Sequence, residues 1–288
     1  MVTCLSSTRA RISDCISGPN GAGKTTTLRM LMGFASPSAG EAFILGQKVG
    51  GREGDTRRNV GFLPDVPAFY SWMRAGEFLT FSGELLAMEP RTLKARVAEL
   101  LDIAGLADVK TPIGGFSRGM RQRLGLAQAL INRPKVVLLD EPTSALDPIG
   151  RREVLELIGR FAGETTVLFS THILTDVERV CDTVAILRQG RLVIQEPIAT
   201  LKEKYVPQAV LLDVVGDPES LVECMQTFSW VSGVERRPGN MLRVAVTDIE
   251  RAHHLLPGAV TRAGVGLREY RVDEVTLEDI FMRLVNGT

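Results

Sequence analysis

Residues 18–25 of the chain read Gly18-Pro19-Asn20-Gly21-Ala22-Gly23-Lys24-Thr25. The octapeptide fits the pattern G-x-x-x-x-G-K-[ST] at every position, and this pattern is typical of phosphate-binding loops. Its glycines let backbone N–H groups converge on phosphate oxygens, and a helix that starts at Lys24 directs its positive end at the same anion. We predict that Lys24 reaches the β- and γ-phosphates of a nucleotide and that the Thr25 hydroxyl binds Mg²⁺. The predicted nucleotide-binding residues are Gly18, Pro19, Asn20, Gly21, Ala22, Gly23, Lys24, Thr25 and Thr26.

The pattern of apolar residues around this loop predicts an α/β fold. Residues 12–17 are predicted to form a strand ahead of the loop, and residues 24–33 a helix behind it. Further along, continuous apolar runs alternate with helical patterns, which indicates a mostly parallel sheet covered on both faces. The predicted strands are 136–139, 167–170, 184–187 and 192–194, and the predicted helices lie within 76–132 and at 150–162 and 174–181.

A second acidic element follows the strand predicted at 136–139. Asp140 and Glu141 come directly after the run Val136-Val137-Leu138-Leu139. In open α/β sheets, ligands bind at this carboxyl end of the strands. We predict that Asp140 holds Mg²⁺ through water and that Glu141 polarises the water that attacks the γ-phosphate.

These elements resemble the ATP-binding cassette (ABC) ATPases over roughly residues 18–200. The stretch Phe116-Ser117-Arg118-Gly119-Met120-Arg121-Gln122-Arg123 is similar to the signature of that family, usually Leu-Ser-Gly-Gly-Gln followed by basic residues. Arg118 and Met120 replace the usual glycine and glutamine. Pro142-Thr143-Ser144-Ala145-Leu146-Asp147 is similar to the loop after the catalytic glutamate, and Ser170-Thr171-His172 to the segment with the switch histidine. The resemblance implies a P-loop NTPase fold with a helical subdomain.

The resemblance also implies an ATPase site that two subunits share. Ser117, at the start of a predicted helix, and the Gly119 N–H are expected to face the γ-phosphate of a nucleotide held by the second subunit. The implied catalytic residues are Glu141, His172 and Lys24, and the implied magnesium residues are Thr25 and Asp140. The implied signature residues are Ser117, Arg118, Gly119 and Met120, and the implied D-loop residues are Ser144, Ala145, Leu146 and Asp147. Asp65 stands at the glutamine-loop position, where we expect its shorter carboxylate to reach the metal through water.

The chain departs from the family ahead of the phosphate-binding loop. Family members carry there a longer, strand-rich segment with an aromatic side chain that stacks on adenine, whereas the first aromatic residue here is Phe34. Such stacking contributes about 1–3 kcal/mol, so its loss would weaken ATP binding roughly 5- to 150-fold. We expect a truncated or altered N-terminus. The alternative function is a degenerate nucleotide-binding module with weak or no ATPase activity.

The domain organisation is predicted from a break in the pattern over 196–207. An ABC ATPase domain is expected over 1–200 and a small α+β accessory domain over 207–288, with a βαββαβ order that favours a ferredoxin-like sandwich. Its predicted strands are 209–215, 231–236, 241–246 and 266–272, and its predicted helices are 218–228, 248–256 and 276–286. Residues 275–281 resemble the tail of drug- and multi-substance-export ATPases.

Composition and charge narrow the expected partners. Lys and Arg total 34, as do Asp and Glu, so the balanced charge argues against nucleic acid as a partner. No apolar stretch approaches the roughly 18 residues that span a bilayer. The scattered cysteines are expected to be reduced thiols. The resemblance then implies an exporter ATPase at the cytoplasmic face of the membrane, with a separate transmembrane permease and a second ATPase subunit as partners.

Residues 66–90 are the most aromatic part of the chain. They include Phe69, Tyr70, Trp72, Phe78 and Phe81. The resemblance implies that this region receives a helix of the permease, in an exposed apolar groove. Simple core packing is the alternative for each of these side chains.

Overall fold

The computed structural model describes residues 13–50, 56–205, 209–273 and 276–286. The predictions for residues 1–12, including the N-terminal alteration, lie outside the described residues. The chain divides into two compact units between Ala199 and Thr200. Each unit has its own sheet, and the two are described separately.

A six-stranded sheet forms the centre of the first unit. Its strands lie in the order β4-β5-β6-β1-β7-β8, and the first five run parallel to their neighbours, whereas β8 pairs antiparallel with β7. The bounds are β1 Ser13–Ser17, β4 Val60–Leu63, β5 Val136–Asp140, β6 Thr166–Thr171, β7 Thr183–Arg188 and β8 Arg191–Pro197. A separate hairpin pairs β2 Phe43–Ile44 with β3 Gln47–Lys48. The mixed, mainly parallel sheet that the sequence predicts is confirmed.

Helices cover both faces of this sheet. Val137, Leu138 and Leu139 are consecutive residues of β5 that point to alternate faces, and each is only 1% exposed. On one face Ile16, Leu138 and Leu168 pack with Leu28 of the first helix. The helices of the unit are α1 Lys24–Leu31, α2 Ala75–Leu85, α3 Pro90–Ile103, α4 Arg118–Ala129, α5 Pro148–Phe161 and α6 Leu174–Val180.

The helical part, α2 to α4, lies against strand β4. The last two of these helices are preceded by N-cap residues whose side chains accept hydrogen bonds from the first backbone N–H groups of the helix. These N-caps are Glu89 for α3 and Ser117 for α4. Arg96 of α3 is buried and its Nη2 donates to the carbonyl of Leu130, where α4 ends. Gly125 lets α4 approach closely, because a Cβ there would lie 2.5 Å from Cδ1 of Leu63.

A further helix, α7, spans Ile198–Tyr205 and occupies most of the break predicted over 196–207. The sequence pattern did not predict this helix within the break. The segment reads Ile-Ala-Thr-Leu-Lys-Glu-Lys-Tyr, and Ala, Leu, Lys and Glu are all strong helix formers.

The second unit has the βαββαβ order of a split-βαβ sandwich. Its antiparallel sheet has the strand order β10-β11-β9-β12, so the first strand of the unit lies centrally between the third and the fourth. This is the ferredoxin-like arrangement that the sequence predicts. The elements are β9 Ala209–Val215, α8 Glu219–Gln226, β10 Val231–Arg237, β11 Met241–Val246, α9 Ile249–Arg262, β12 Gly266–Val272 and α10 Leu277–Asn286.

Helix α9 is longer than predicted. It continues through Pro257 to Arg262, although proline removes one backbone donor from the helix. Ala252, Leu256 and Ala259 recur at helical spacing and are fully buried against the sheet. This apolar stripe continues across the proline, so packing outweighs the missing hydrogen bond.

Two further expectations concern the whole chain. Cys15, Cys181 and Cys224 are free thiols, as expected for the cysteines within the described residues. None of the helices in the described parts of the chain combines the length and the apolar character that crossing a membrane requires.

The packing of α4 on β4 predicts opposite effects for two glycine-to-alanine changes inside helices. Gly125→Ala should lower the free energy of unfolding by about 1–3 kcal/mol, because the new methyl group overpacks against Leu63. Gly159→Ala in α5 should raise it by up to about 1 kcal/mol, since a Cβ there meets nothing within 4 Å and alanine favours the helix. Denaturant unfolding of both variants measures the difference. Equal effects at the two positions would contradict the close packing of α4.

Candidate nucleotide-binding site

The phosphate-binding loop connects β1 to α1 at the carboxyl edge of the sheet. Glycine is required at position 18 because the loop passes close to β7, and a Cβ there would lie 2.3 Å from the carbonyl oxygen of Leu187. Gly23 precedes α1 with φ 103°, a conformation that L side chains rarely adopt. The backbone N–H of Gly190, in the turn between β7 and β8, donates to the carbonyl of Ala22 at 3.0 Å. The loop is thus held against two neighbouring segments of the sheet.

Lys24 is folded back onto its own loop and onto a carboxylate. Its side chain is 6% exposed, and Nζ donates to the Gly18 carbonyl at 2.8 Å and pairs with Glu141 Oε1 at 3.2 Å. The ammonium group is therefore fully engaged within the site. A buried lysine without such partners would carry a large desolvation cost.

Asp140 lies at the end of β5 and connects this strand to α1 and to β6. Its Oδ1 accepts a hydrogen bond from the Thr25 hydroxyl at 3.0 Å and another from the Ser170 hydroxyl at 2.7 Å. A hydroxyl and a carboxylate are hard oxygen ligands of the kind that Mg²⁺ prefers. The donor set therefore fits the predicted magnesium site, in which the Thr25 hydroxyl would bind the ion and Asp140 would hold it through water.

Glu141 lies between the two other predicted catalytic side chains. One carboxylate oxygen pairs with Lys24, and the other, Oε2, lies 2.9 Å from Nδ1 of His172. The backbone N–H of Glu141 donates to both the carbonyl and the hydroxyl of Ser170, each at 3.1 Å. Glu141 has φ 48°, in the left-handed region, and such strained residues cluster at functional sites. The structure thus brings Lys24, Glu141 and His172 together.

Asp65 follows β4 and takes part in the electrostatics of the same cleft. Partial desolvation and the nearby carboxylates of Asp140 and Glu141 raise the pKa of Asp65 above its ordinary value of 3.8, while Arg118 and His172 oppose this increase. The glutamine-loop position therefore adds a third carboxyl group to the site.

The signature and D-loop residues have local roles in this chain. The Ser117 hydroxyl accepts a hydrogen bond from the Met120 N–H at 3.2 Å and caps α4, with Arg118 as the first helical residue. Asp147 caps α5 in the same way, through the Gly150 N–H at 2.7 Å. The D-loop residues Ser144, Ala145 and Leu146 form the turn before this cap, and Ala145 has φ 52°.

Four hydrogen bonds in and beside the site are not predicted from the sequence. The Ser170 hydroxyl orients both acidic residues at the end of β5. The Thr143 hydroxyl donates to Oδ2 of the buried Asp176 at 2.6 Å, and Arg151 Nε donates to Oδ1 at 2.6 Å. The available signal for Ser170 was a hydroxyl residue at the end of a predicted strand, and Thr143 lies in the loop that follows the end of the neighbouring strand β5, at Asp140. The partners could not be read from the sequence because they are about 30 positions apart.

The aromatic region after β4 is partly core and partly surface. Phe78 is buried and packs edge-on against Phe69, with ring centroids 5.1 Å apart. Trp72 is 71% exposed and Tyr70 43% exposed, and their rings lie 5.1 Å apart. Core packing therefore accounts for Phe78, whereas Tyr70 and Trp72 form an exposed apolar pair.

Comparison with known proteins agrees with this geometry. Residues 14–144 match the family model of ABC transporters. The chain is 40% identical over 278 residues to YxlF, an ABC transporter ATP-binding protein of Bacillus subtilis, covering 96% of this chain and 91% of that protein. The chain belongs to the ABC transporter ATP-binding proteins. It is thus an ABC ATPase, the subunit that hydrolyses ATP to power transport.

Two other similarities add detail about relatives. The Nod factor export ATP-binding protein I of a Rhizobium species is 36% identical over 272 residues, covering 93% of this ABC ATPase and 86% of that protein. A solved dimeric ATP-binding cassette in a post-hydrolysis state, bound to ADP and Pi, aligns with a TM-score of 0.58 at 25% identity. That alignment covers 66% of this chain and 87% of the solved one.

The raised pKa of Asp65 predicts a pH-dependent effect on stability. A carboxyl group with a raised pKa in the folded state binds protons more tightly there, so it lowers stability as pH rises from 3.8 through the raised value. Asp65→Asn should therefore raise the Tm of the nucleotide-free, magnesium-free protein at pH 7.5, and this gain should shrink towards pH 4. Thermal unfolding at both pH values measures it.

A control of opposite sign is available at Glu89. Hydrogen bonds from the backbone N–H groups of Arg91 and Thr92 lower the pKa of Glu89. Glu89→Gln should therefore lower the Tm at pH 7.5, again with a smaller effect near pH 4. A lower Tm for Asp65→Asn at pH 7.5 would contradict the electrostatic description of the cleft.

Proposed function

We propose that this ABC ATPase binds ATP with Mg²⁺ at the loop 18–25 and hydrolyses it in a site completed by a second ATPase subunit. The observation that carries the proposal is the position of Glu141 between Lys24 and His172, next to the Thr25–Asp140 pair. These residues supply an anion-binding group, a base, a polar partner for that base and two oxygen ligands.

Binding of the nucleotide is proposed to exchange the partners of Lys24. The phosphates offer oxygens that compete with the Gly18 carbonyl and with Glu141 for its Nζ, and the loop N–H groups bind the same anion. Thr25 and Asp140 would hold Mg²⁺, which supplies Lewis-acid stabilisation of charge on the phosphoryl oxygens. Lys24 remains paired throughout, so the exchange leaves no buried ammonium group alone.

Glu141, once released from Lys24, is proposed to act as the base for hydrolysis. Its carboxylate accepts a proton from the attacking water while the water oxygen bonds to the γ-phosphorus and the bond to the bridging oxygen breaks. The Nδ1 atom of His172 lies 2.9 Å from the other carboxylate oxygen, and His172 is proposed to contact the γ-phosphate. Asp65 is proposed to approach the metal through water.

The second subunit is proposed to contribute Ser117, Arg118, Gly119 and Met120. The Ser117 hydroxyl caps the N-terminus of α4, and this hydroxyl and the Gly119 N–H are proposed to bind the γ-phosphate held by the other subunit. The support for a dimer is the similarity to the solved ATP-binding cassette, which is dimeric. The D-loop residues 144–147 are proposed to lie at the same subunit interface.

The chain is further proposed to drive a separate permease, as an exporter at the cytoplasmic face of the membrane. The similarity to a Nod factor export ATP-binding protein supports the direction of transport. The exposed pair of Tyr70 and Trp72 supports the docking site, because exposed aromatic side chains are enriched where proteins bind one another.

Glu141→Gln should lower kcat for ATP hydrolysis by about 100-fold or more, because glutamine cannot accept the proton. ATP binding should persist, since the loop and Lys24 are unchanged. Phosphate release, with ATP affinity measured separately, tests both statements. Glu164→Gln, the same change at an exposed position before β6, is the control and should leave kcat unchanged.

The same assay separates the proposed enzyme from the degenerate nucleotide-binding module. Magnesium-dependent turnover that Glu141→Gln abolishes supports the ATPase. Absence of turnover from the unaltered chain with its permease would instead support the module.

Trp72→Ala should weaken binding to the permease by about 10- to 30-fold, as expected when an aromatic side chain at the centre of an interface is truncated. ATP hydrolysis by the chain alone should be unaffected, because Trp72 is exposed and apart from the catalytic side chains. Affinity for the purified permease and the ATPase rate are both measured. Phe43→Ala, which removes another exposed aromatic ring, is the control. Equal losses of affinity for the two variants would argue against this docking site.

A further inference from the structure

Asp176 is a buried carboxylate outside the predicted site. It lies in the first turn of α6, and its side chain is 2% exposed. Oδ2 accepts the Thr143 hydroxyl at 2.6 Å, and Oδ1 accepts Arg151 Nε at 2.6 Å. Arg151 also donates from Nη2 to the Thr175 hydroxyl at 2.6 Å. Both oxygens of the carboxylate are thus engaged by short hydrogen bonds.

Asp176 and its partner Thr143 each lie a few residues after a proposed catalytic residue in the sequence. Thr143 is two residues after Glu141, and Asp176 is four residues after His172. The bond between Thr143 and Asp176 therefore ties the loop after β5 to the helix that follows the loop after β6. His172 Nδ1 also lies 2.9 Å from Glu141 Oε2, so the segment after β5 and the segment after β6 are linked at two points, through Glu141 and His172 and through Thr143 and Asp176.

Arg151 connects the Asp176 carboxylate to the start of α5, which follows the proposed D-loop residues 144–147. It lies in the first turn of α5, where its backbone N–H donates to the carbonyl of Asp147 at 2.9 Å. Three segments thus meet at Asp176: the loop after Glu141, the start of α5 and the start of α6.

We propose that Asp176 is a positioning residue, which acts through Thr143 and Arg151 to hold Glu141 and His172 at the separation that hydrolysis requires. This inference rests on the proposed catalytic roles of Glu141 and His172. A buried ion pair is weak as a source of stability compared with apolar packing, but it fixes one geometry when every oxygen has its partner. Displacement of a reacting group by a fraction of an ångström is costly in rate.

The first test removes one hydrogen bond and then restores it. Thr143→Val deletes the hydroxyl at nearly constant volume and should lower kcat by about tenfold, with KM for ATP within about twofold of the unaltered protein. Thr143→Ser keeps the hydroxyl and should recover most of the rate. If the role of Thr143 is purely structural, Thr143→Ser should have a kcat no higher than that of Thr143→Val, because serine is smaller and fills the site less well.

The second test is a double-mutant cycle between Asp176 and His172. Asp176→Asn should lower kcat by about tenfold in the unaltered protein but by less than about twofold in a His172→Ala background, because His172 is then no longer there to be positioned. Equal losses in both backgrounds would overturn the proposal. Glu156→Gln removes an exposed carboxylate that also pairs with an arginine of α5, Arg152, and serves as the matched control.

The positioning role of Asp176 and the proposed catalytic roles of Glu141 and His172 predict different results for these variants. If Glu141→Gln and His172→Ala each lower turnover strongly, to a residual rate that can still be measured, while Thr143→Val does not lower it, the catalytic roles stand and the positioning role of Asp176 fails. If Glu141→Gln and His172→Ala leave turnover unchanged, the proposed function fails and this inference fails with it. Should Asp176→Asn not fold, the Thr143→Val and Thr143→Ser pair decides alone.

Discussion

One carboxylate oxygen, Oδ1 of Asp140 at the end of β5, connects the three elements on which the site depends, β5, α1 and β6. It accepts the hydroxyl of Thr25, behind the phosphate-binding loop, and the hydroxyl of Ser170, at the end of β6. The strands β5, β6 and β1 are neighbours in the sheet, so their carboxyl ends meet at one edge. A carboxylate buried there needs donors, and these two hydroxyls supply them. The position of Glu141, the next residue, follows from this connection.

The site combines excess negative charge with a structure built to bind anions. Asp65, Asp140 and Glu141 lie near one another, and the raised pKa of Asp65 is a consequence of that crowding. The glycine loop and Lys24, a few ångströms away, favour a phosphate group. An anion without a cation would be repelled by the carboxylates, and a cation without an anion would be repelled by Lys24. A phosphate group bound together with a divalent cation would satisfy both the carboxylates and Lys24, which supports the proposal that ATP binds with Mg²⁺.

The sequence predicts those parts of the site whose residues are adjacent in the chain. The loop 18–25 and the pair Asp140-Glu141 follow local patterns, and so does the split-βαβ order of the second unit. The hydrogen bonds of Ser170 to Asp140 and of Thr143 to Asp176 depend on strand register and on where α6 packs, which no local pattern contains. Helix α9 likewise passes Pro257 because of tertiary packing, which overrides local propensity.

The proposed exchange of Lys24 partners would link substrate binding to the activity of the base. Without nucleotide, both oxygens of Glu141 are occupied, one by Lys24 and one by His172, so the carboxylate is poorly placed to accept a proton from water. Phosphate that takes over Lys24 frees one oxygen and simultaneously brings the γ-phosphorus to the site. In this proposal, Glu141 becomes free to act as the base only when its substrate is bound. The separation of Glu141 from His172 must nevertheless persist during this exchange, and a contact outside the phosphate site, such as that of Asp176 with Thr143, can maintain it because the nucleotide does not compete for it.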